Sequence, residues 1–355
     1  MKSTICVAED REVCEPCLKL LLLSLTKHCP GTAVRLFYPP ANNAFLSWIE
    51  RCPQVQLQPD RLKSGYGWNI KPQAILYLLG AGYDEVIWID SDILVTGNLL
   101  GIISGLKDEV IVASEHTLSE ERDDKNALRA RLWGFPVGRV LQSGLSSGVL
   151  RVTKHHRHLM ERWWELLQSS QYQDVQKRVW GQRPVHMLGD QDVLTALLTS
   201  KEFSEIPIYR LKRGKHILQF DGVYGYTIAE RMRNLVGDGP VFIHSGAGKP
   251  WSEQWRSSPW LDLREYVKKV YLDLSPYTLS AVQFRHKLEG NTEWMDPHYS
   301  LSRTLRALGN GHPPLVGLPM AIFADVARIL KYMRRSRPSN PSLSETDRLE
   351  ATTKQ

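Results

Sequence analysis

The stretch Tyr83-Asp84-Glu85-Val86-Ile87-Trp88-Ile89-Asp90-Ser91-Asp92-Ile93-Leu94-Val95 decides the fold. Residues 86–89 are apolar without a break, as in a strand covered on both faces. The run ends in two aspartates around one serine. Two carboxylates at a strand end can share a hard divalent cation, which in turn can hold a diphosphate. Apolar residues on both sides make an unpaired carboxylate there costly. The plainer alternative is a capped turn with a local salt bridge.

Outward from this run, short apolar strands are expected over 4–8, 33–38, 55–57, 110–113, 148–153 and 241–243. Amphipathic helices are expected over 14–27, 42–52, 68–79, 158–167 and 190–198. The alternation predicts an α/β fold around a mostly parallel central sheet. Ligands of such sheets bind beyond the carboxyl ends of the strands. The polar residues after Ala8 and after Ile89 stand there.

With 355 residues, 42% hydrophobic and 23% charged, the chain can bury a substantial core and is neither collagenous, coiled-coil nor wholly disordered. No apolar run approaches the roughly 18–20 residues of a membrane span. Glu9, Asp10 and Glu12 interrupt what a secretory signal would keep apolar, so a cytoplasmic protein is expected. The five cysteines all fall in the first 52 residues and are odd in number, unlike a disulfide framework. Cys14-Glu-Pro-Cys17 has the spacing of half a zinc site, with no second half, and is read as structural.

Two further segments carry candidate chemistry. His244 ends a strand and opens the turn Ser245-Gly246-Ala247-Gly248-Lys249-Pro250-Trp251. Its imidazole is a suitable third ligand for a metal such as Mn²⁺. Gly246 and Gly248 let backbone N–H groups approach an anion, and Lys249 adds charge. This is not a Walker loop, because Pro250 stands where Ser or Thr should follow the lysine. A packed histidine is the simpler reading of His244. In Gly189-Asp190-Gln191-Asp192, Asp190 is either a helix cap or, with Gln191, a pair that can bind sugar hydroxyls.

In this order the segments resemble glycosyltransferase family 8, a GT-A-fold family that includes glycogenin and bacterial lipopolysaccharide galactosyl- and glucosyltransferases. The resemblance covers roughly residues 3–270. It rests on Val7-Ala-Glu-Asp10, Asn69-Ile-Lys71, Asp90-Ser-Asp92, Ser146-Ser-Gly-Val-Leu150, Gly189-Asp-Gln-Asp192 and His244…Lys249-Pro-Trp251. It implies a GT-A fold with a helical C-terminal extension, and a retaining transferase that moves a hexose from a UDP-sugar to a carbohydrate or glycolipid acceptor. By match, Asp90, Asp92 and His244 would hold Mn²⁺ or Mg²⁺, with Asp90 also at the ribose. Ala8 and Asp10 would meet the nucleotide, with Lys71 and Ser91 at the same donor site. Gly246 and Lys249 would contact the diphosphate. Asp190 and Gln191 would meet the sugar, Gln191 steadying the reacting face. No protein nucleophile is implied.

Three departures from the family pattern stand out. The chain has one residue fewer between His244 and Lys249, which bears on the diphosphate contacts. Ser146-Ser147-Gly148 replaces Asn-Ala-Gly, which bears on the sugar contacts. Ala8-Glu9-Asp10 replaces Ala-Asp-Asp, which bears on the choice of uridine.

The expected organisation is a catalytic domain over 1–274, a helical basic extension over 275–335 and a flexible tail over 336–355. Between Leu301 and Arg337, seven Lys/Arg against the single acid Asp325 account for +6 of the net charge of +7. Met320, Phe323, Val326, Ile329, Leu330 and Met333 fall on one side of a helix there, with Asp325, Arg328, Tyr332 and Arg335 opposite. Such a helix either lies on an anionic membrane surface or docks its apolar face on the catalytic domain. Two competing function classes remain: a GT-A-like protein that only binds a nucleotide or glycan, and a nucleic-acid binder. The second is disfavoured, since the basic segment lacks interleaved stacking aromatics.

Overall fold

The computed structural model describes residues 1–58, 62, 67–116, 123–220, 225–246, 248–252, 263–290 and 292–335. The tail expected over 336–355 lies outside them. Ten strands are present among the described residues: β1 (Ser3–Ala8), β2 (Val34–Phe37), β3 (Val55–Leu57), β4 (Glu85–Ile89), β5 (Ile93–Val95), β6 (Ile111–Glu115), β7 (Leu145–Thr153), β8 (Ile208–Leu211), β9 (Ile217–Gln219) and β10 (Phe242–His244). Seven form a sheet in the order β3-β2-β1-β4-β7-β6-β8, and three form a second sheet, β5-β10-β9. In the large sheet β7 pairs antiparallel with both neighbours and every other pair is parallel. The expected α/β architecture with a mostly parallel central sheet is therefore observed, and β7 makes that sheet a mixed one. Strands β5, β8 and β9 were not anticipated from the sequence.

Alternation along the central strands builds a core on each face. Ile5 and Val7 of β1, with Ile87 and Ile89 of β4, point to one side. Cys6, Val86 and Trp88 point to the other, against the helices Lys71–Gly80, Arg157–Gln168 and Asp190–Thr199. On the first side lies the helix Glu15–His28, buried without a break from Cys17 to Leu25. A helix apolar all round must be covered all round. The second sheet helps to cover it, and Val95 N–H donates to Ser24 Oγ at 3.1 Å. Pro16 in the first turn and Lys27 and His28 in the last suit the ends of this helix. All five cysteines are buried and free.

The chain beyond residue 274 joins the same core. Tyr277, Phe284, Leu288, Trp294 and Met295 belong to the apolar cluster that holds Leu18 and Leu21, and Trp48 Nε1 donates to Lys287 O at 2.9 Å. The last described helix, Leu318–Arg335, docks by an edge other than the two weighed from the sequence. Ala321 and Ala324 are buried, and Asp325 Oδ2 accepts from Ile228 N–H at 2.9 Å at the start of the helix Ile228–Val236. Asp325 thus faces the body of the protein, while Phe323, Val326, Ile329 and Leu330 stay exposed. Small side chains permit the close approach, and of the larger apolar ones Met320 packs against the body while Phe323, Val326, Ile329 and Leu330 are left outside.

Candidate active site

Asp90-Ser91-Asp92 links β4 of the large sheet to β5 of the small one, so the triplet sits where the two sheets part. β10 pairs antiparallel with β5 and sets His244 opposite Ile93, one residue from Asp92. Ser245 N–H donates to Asp92 O at 3.1 Å, and Asp90 N–H donates to Gly148 O of β7 at 2.9 Å. Asp90, Asp92 and His244, far apart in the chain, each offer one ligand atom within a cluster where these atoms lie within 4.8 Å of one another. His244 Nε2 is 3.3 Å from Asp92 Oδ1, while its Nδ1 is buried without a hydrogen-bond partner among the described residues. Gly148 lies close against the cluster: a Cβ there would be 3.4 Å from Asp90 Oδ2, His244 Cε1 and Ile93 Cδ1.

Two lysines answer the charge. Lys249 Nζ contacts Asp92 Oδ2 and donates to Ser245 O at 2.6 Å, so the shortened turn still returns the lysine to the triplet. Gly248 packs under Leu272: a Cβ there would come 2.4 Å from Leu272 Cδ2, and that side chain would have to shift. Burial resists ionisation of Asp92, but Lys249 and His244 outweigh it and hold the carboxyl well below the usual carboxylate range. Burial likewise opposes charge on His244, and Asp92 prevails, raising its pKa.

Lys71 is 3% exposed and sits behind the triplet. It donates to Asp90 Oδ2 at 3.0 Å and to Ser147 Oγ at 2.8 Å, and lies 3.3 Å from Asp190 Oδ2. Ser147 Oγ in turn donates to Asp190 Oδ2 at 2.6 Å. Trp88 Nε1 donates to Asp90 Oδ1 at 2.7 Å. Lys71 and Ser147 therefore brace the two aspartates. Asp90 nevertheless has a raised pKa: burial is the main cause, and the Asp92 charge adds to it against Lys71.

Ser91, also buried, donates its hydroxyl to Glu9 Oε2 at 2.5 Å. Glu9 further accepts from Arg11 Nε at 2.8 Å and from the backbone N–H groups of Asp10 and Arg11 at 3.0 Å. These bonds prevail over burial and lower the Glu9 pKa. Glu9 thus ties the end of β1, and with it Ala8 and Asp10, to the triplet. Ala8, Asp10 and Gly246 are partly exposed.

The helix Asp190–Thr199 resolves the roles of its acids. Its cap is Asp192, whose Oδ2 accepts from Gly189 N–H at 3.0 Å and whose Oδ1 is held by Arg129 Nε at 3.0 Å. Asp190 turns instead to Lys71 and Ser147. Gln191 Nε2 contacts His116 Nε2 at 2.6 Å, at the end of β6. Sequence reasoning did not single out Trp88, His116 or Arg129. Trp88 could have been found from strand periodicity, since it shares a face with Asp90, while the other two depend on tertiary pairing.

The donor set suits a metal. Two carboxylates and an imidazole match Mn²⁺ or Mg²⁺ in type, and the unpartnered buried ring nitrogen of His244 marks a side chain whose fold-given contacts leave capacity unused.

No family model matches this chain, and no curated protein matches it. Several solved glycosyltransferases are similar in structure. The apo bifunctional glycosyltransferase WbbM is 12% identical, with 83% of this chain and 50% of that one covered and a TM-score of 0.48. The galactosyltransferase LgtC, solved with donor and acceptor sugar analogues, is 17% identical, with 80% and 99% covered and a TM-score of 0.46. The glycosyltransferase GlyE of Streptococcus pneumoniae TIGR4 is 17% identical, with 81% and 64% covered and a TM-score of 0.42. This chain spans half the length of WbbM and under two thirds of GlyE.

Proposed function

We propose that this protein is a metal-dependent retaining glycosyltransferase of the family 8 type, transferring a hexose from a UDP-sugar to a carbohydrate or glycolipid acceptor. The observation that carries the reading is the cluster of Asp90, Asp92 and His244 at the carboxyl ends of β4 and β10. Mn²⁺ or Mg²⁺ held by these three would offset the negative charge that develops on the departing nucleotide diphosphate. Lys249 supports the same role: it lies on Asp92 and can turn from that carboxylate to a phosphate oxygen. Gly246 leaves the backbone of the same turn open to the diphosphate. Ala8 and Asp10 would meet the nucleoside end beside β1, and Ser91, through its bond to Glu9, would hold the triplet in register with them.

Asp190 and Gln191 serve the sugar. Lys71 and Ser147 fix the Asp190 carboxylate, so a sugar hydroxyl would meet a preoriented acceptor. Gln191, set by His116, presents an amide that both donates and accepts at the reacting face.

The helix Leu318–Arg335 supports contact with an anionic membrane surface. Phe323 is 77% exposed, and Ile322, Val326, Ile329 and Leu330 are exposed with it. The neighbouring helix Ile228–Val236 adds Met232, Leu235 and Val236. Exposed apolar side chains in a segment of net charge +6 suit an interfacial helix. Membrane contact would bring the site to a lipid-linked acceptor.

The reading is tested by incubating the purified chain with a panel of UDP- and GDP-sugars, with Mn²⁺ or with EDTA, and assaying released nucleotide diphosphate. Release from one UDP-sugar that requires Mn²⁺ supports it. A chain that neither turns over nor binds any donor overturns it.

A further inference from the structure

Trp180 is a large aromatic side chain that the fold holds in water beside the candidate site. It is 53% exposed, and its neighbour Val179 is exposed as well. Exposure here does not come with loose tethering. Residues Trp180–Gln182 form a 3-10 turn, closed by Gln182 N–H to Val179 O at 2.9 Å and Arg183 N–H to Trp180 O at 3.2 Å. The Arg183 guanidinium lies 5.5 Å from the indole centroid. It is itself locked on four acceptors: Arg178 O at 3.0 Å, Gln176 Oε1 at 2.7 Å, Leu188 O at 3.0 Å and Gln176 O at 2.9 Å. An indole backed by a fixed cation is a prepared surface.

Its place in the molecule gives that surface a use. A Cβ on Gly189 would touch the indole Cη2 at 3.9 Å, and Gly189 directly precedes Asp190 and Gln191. Asp190 is joined through Lys71 to Asp90. Contacts thus run from the metal-binding candidates through Lys71 to Asp190, whose chain neighbour Gly189 lies beside the indole. A sugar tied to a diphosphate at Asp90 and Asp92 would reach Asp190 and Gln191 first. The sugar that receives it would lie beyond, next to Trp180.

We propose that Trp180 is the stacking platform for a pyranose ring of the acceptor, an inference that rests on the glycosyl-transfer reading of the neighbouring site. A pyranose has a face of C–H groups that makes poor hydrogen bonds with water. Laid on the indole, that face and the ring leave water together while the equatorial hydroxyls stay free for polar partners. A nucleobase stacked on an aromatic side chain loses roughly five- to a hundredfold in affinity when that ring is removed, and a pyranose face laid on the indole is expected toward the lower end of that range.

The test uses the full chain labelled with 5-fluorotryptophan, the Trp180 ¹⁹F resonance being assigned by its loss in Trp180→Phe. Methyl pyranosides of glucose, galactose, mannose and N-acetylglucosamine are titrated with Mn²⁺ and UDP present. The expected result is a saturable shift of the Trp180 line with at least one of them. Trp180→Ala should weaken that glycoside about tenfold or more, and Trp180→Phe, which keeps a ring, clearly less. Trp180→Ala should leave the thermal midpoint near the wild-type value, since the side chain is half in water. A Trp180 line that moves with none of the four, or an alanine variant that binds as well as the wild type, overturns the proposal. The titration needs no turnover, so its failure is separate from a failure of the nucleotide-release assay.

Discussion

Lys71 Nζ lies 3.0 Å from Asp90 Oδ2, and the same ammonium holds Asp190 at 3.3 Å. One buried cation thus fixes the first aspartate of the triplet and the first residue of the helix that carries Gln191. Burial disfavours its charge, but the two carboxylates prevail and its pKa is raised. Lys71→Met would leave two carboxylates without the cation they share. The expected loss is about 3–5 kcal/mol of stability, as for removal of one partner from a buried ion pair. Urea unfolding at neutral pH reads it, and a loss below about 1 kcal/mol would show that Lys71 is not the brace its contacts describe.

Lys249 shares Asp92 with the proposed metal. Taking its charge away should help a bare cation and hurt a nucleotide. For Lys249→Met the account expects Mn²⁺ alone to bind several-fold more tightly and UDP with Mn²⁺ to bind about tenfold more weakly, or about 1.4 kcal/mol. Calorimetry in both formats checks the opposite signs. Weakening of both would mean that the lysine only supports the local fold.

His156 gives stability a pH dependence remote from the site. It is buried, accepts from Thr153 N–H through Nδ1 at 3.0 Å and lies 3.0 Å from Glu109 O through Nε2. Burial above all pushes its pKa down from 6.5 to about 4. The unfolded chain therefore binds the proton first as pH falls. Stability from this group is complete above about pH 6.5 and is lost down to about pH 4. Between pH 7 and pH 5 the loss is about 2 kcal/mol. His156→Asn should flatten that part of the profile in denaturant titrations at the two pH values; an unchanged slope would assign it to other groups.

The exposed face of the helix Leu318–Arg335 predicts binding to anionic vesicles. Phe323→Asp with Ile329→Asp should reduce co-sedimentation with phosphatidylglycerol vesicles about tenfold or more, because each change removes buried apolar area and adds a repelled charge. Equal sedimentation of variant and wild type would assign binding to other parts of the surface.

The large sheet was legible because its signal is local. An apolar run such as 86–89 can only be buried, and the acids at its end can only stand at its rim. Strand β5, three residues long, was hidden as a continuation of that same run. What makes it a separate strand is pairing with β10, some 150 residues away, which no local pattern encodes. The same limit applies inside the site. Asp190 and Asp192 are equivalent in sequence as first-turn acids, and the neighbours Lys71 and Arg129 separate them into a braced site residue and a cap. Ser91 and Lys71 were expected to face the nucleotide; they are buried against Glu9 and against Asp90, Asp190 and Ser147, partners that periodicity cannot name. The C-terminal helix had its apolar stripe in plain view, yet docks by Ala321 and Ala324, whose small size matters only once a surface is there to approach.

The central claim is that Asp90, Asp92 and His244 together hold one divalent metal. It is tested most directly by Mn²⁺ titration followed by electron paramagnetic resonance, with and without UDP, on wild type, Asp92→Asn and His244→Gln. The account predicts one site in the wild type that UDP tightens, weakened at least tenfold in both variants while their thermal midpoints show them folded. A single Mn²⁺ site of the same affinity in all three proteins, or no site in the wild type even with UDP, would contradict it.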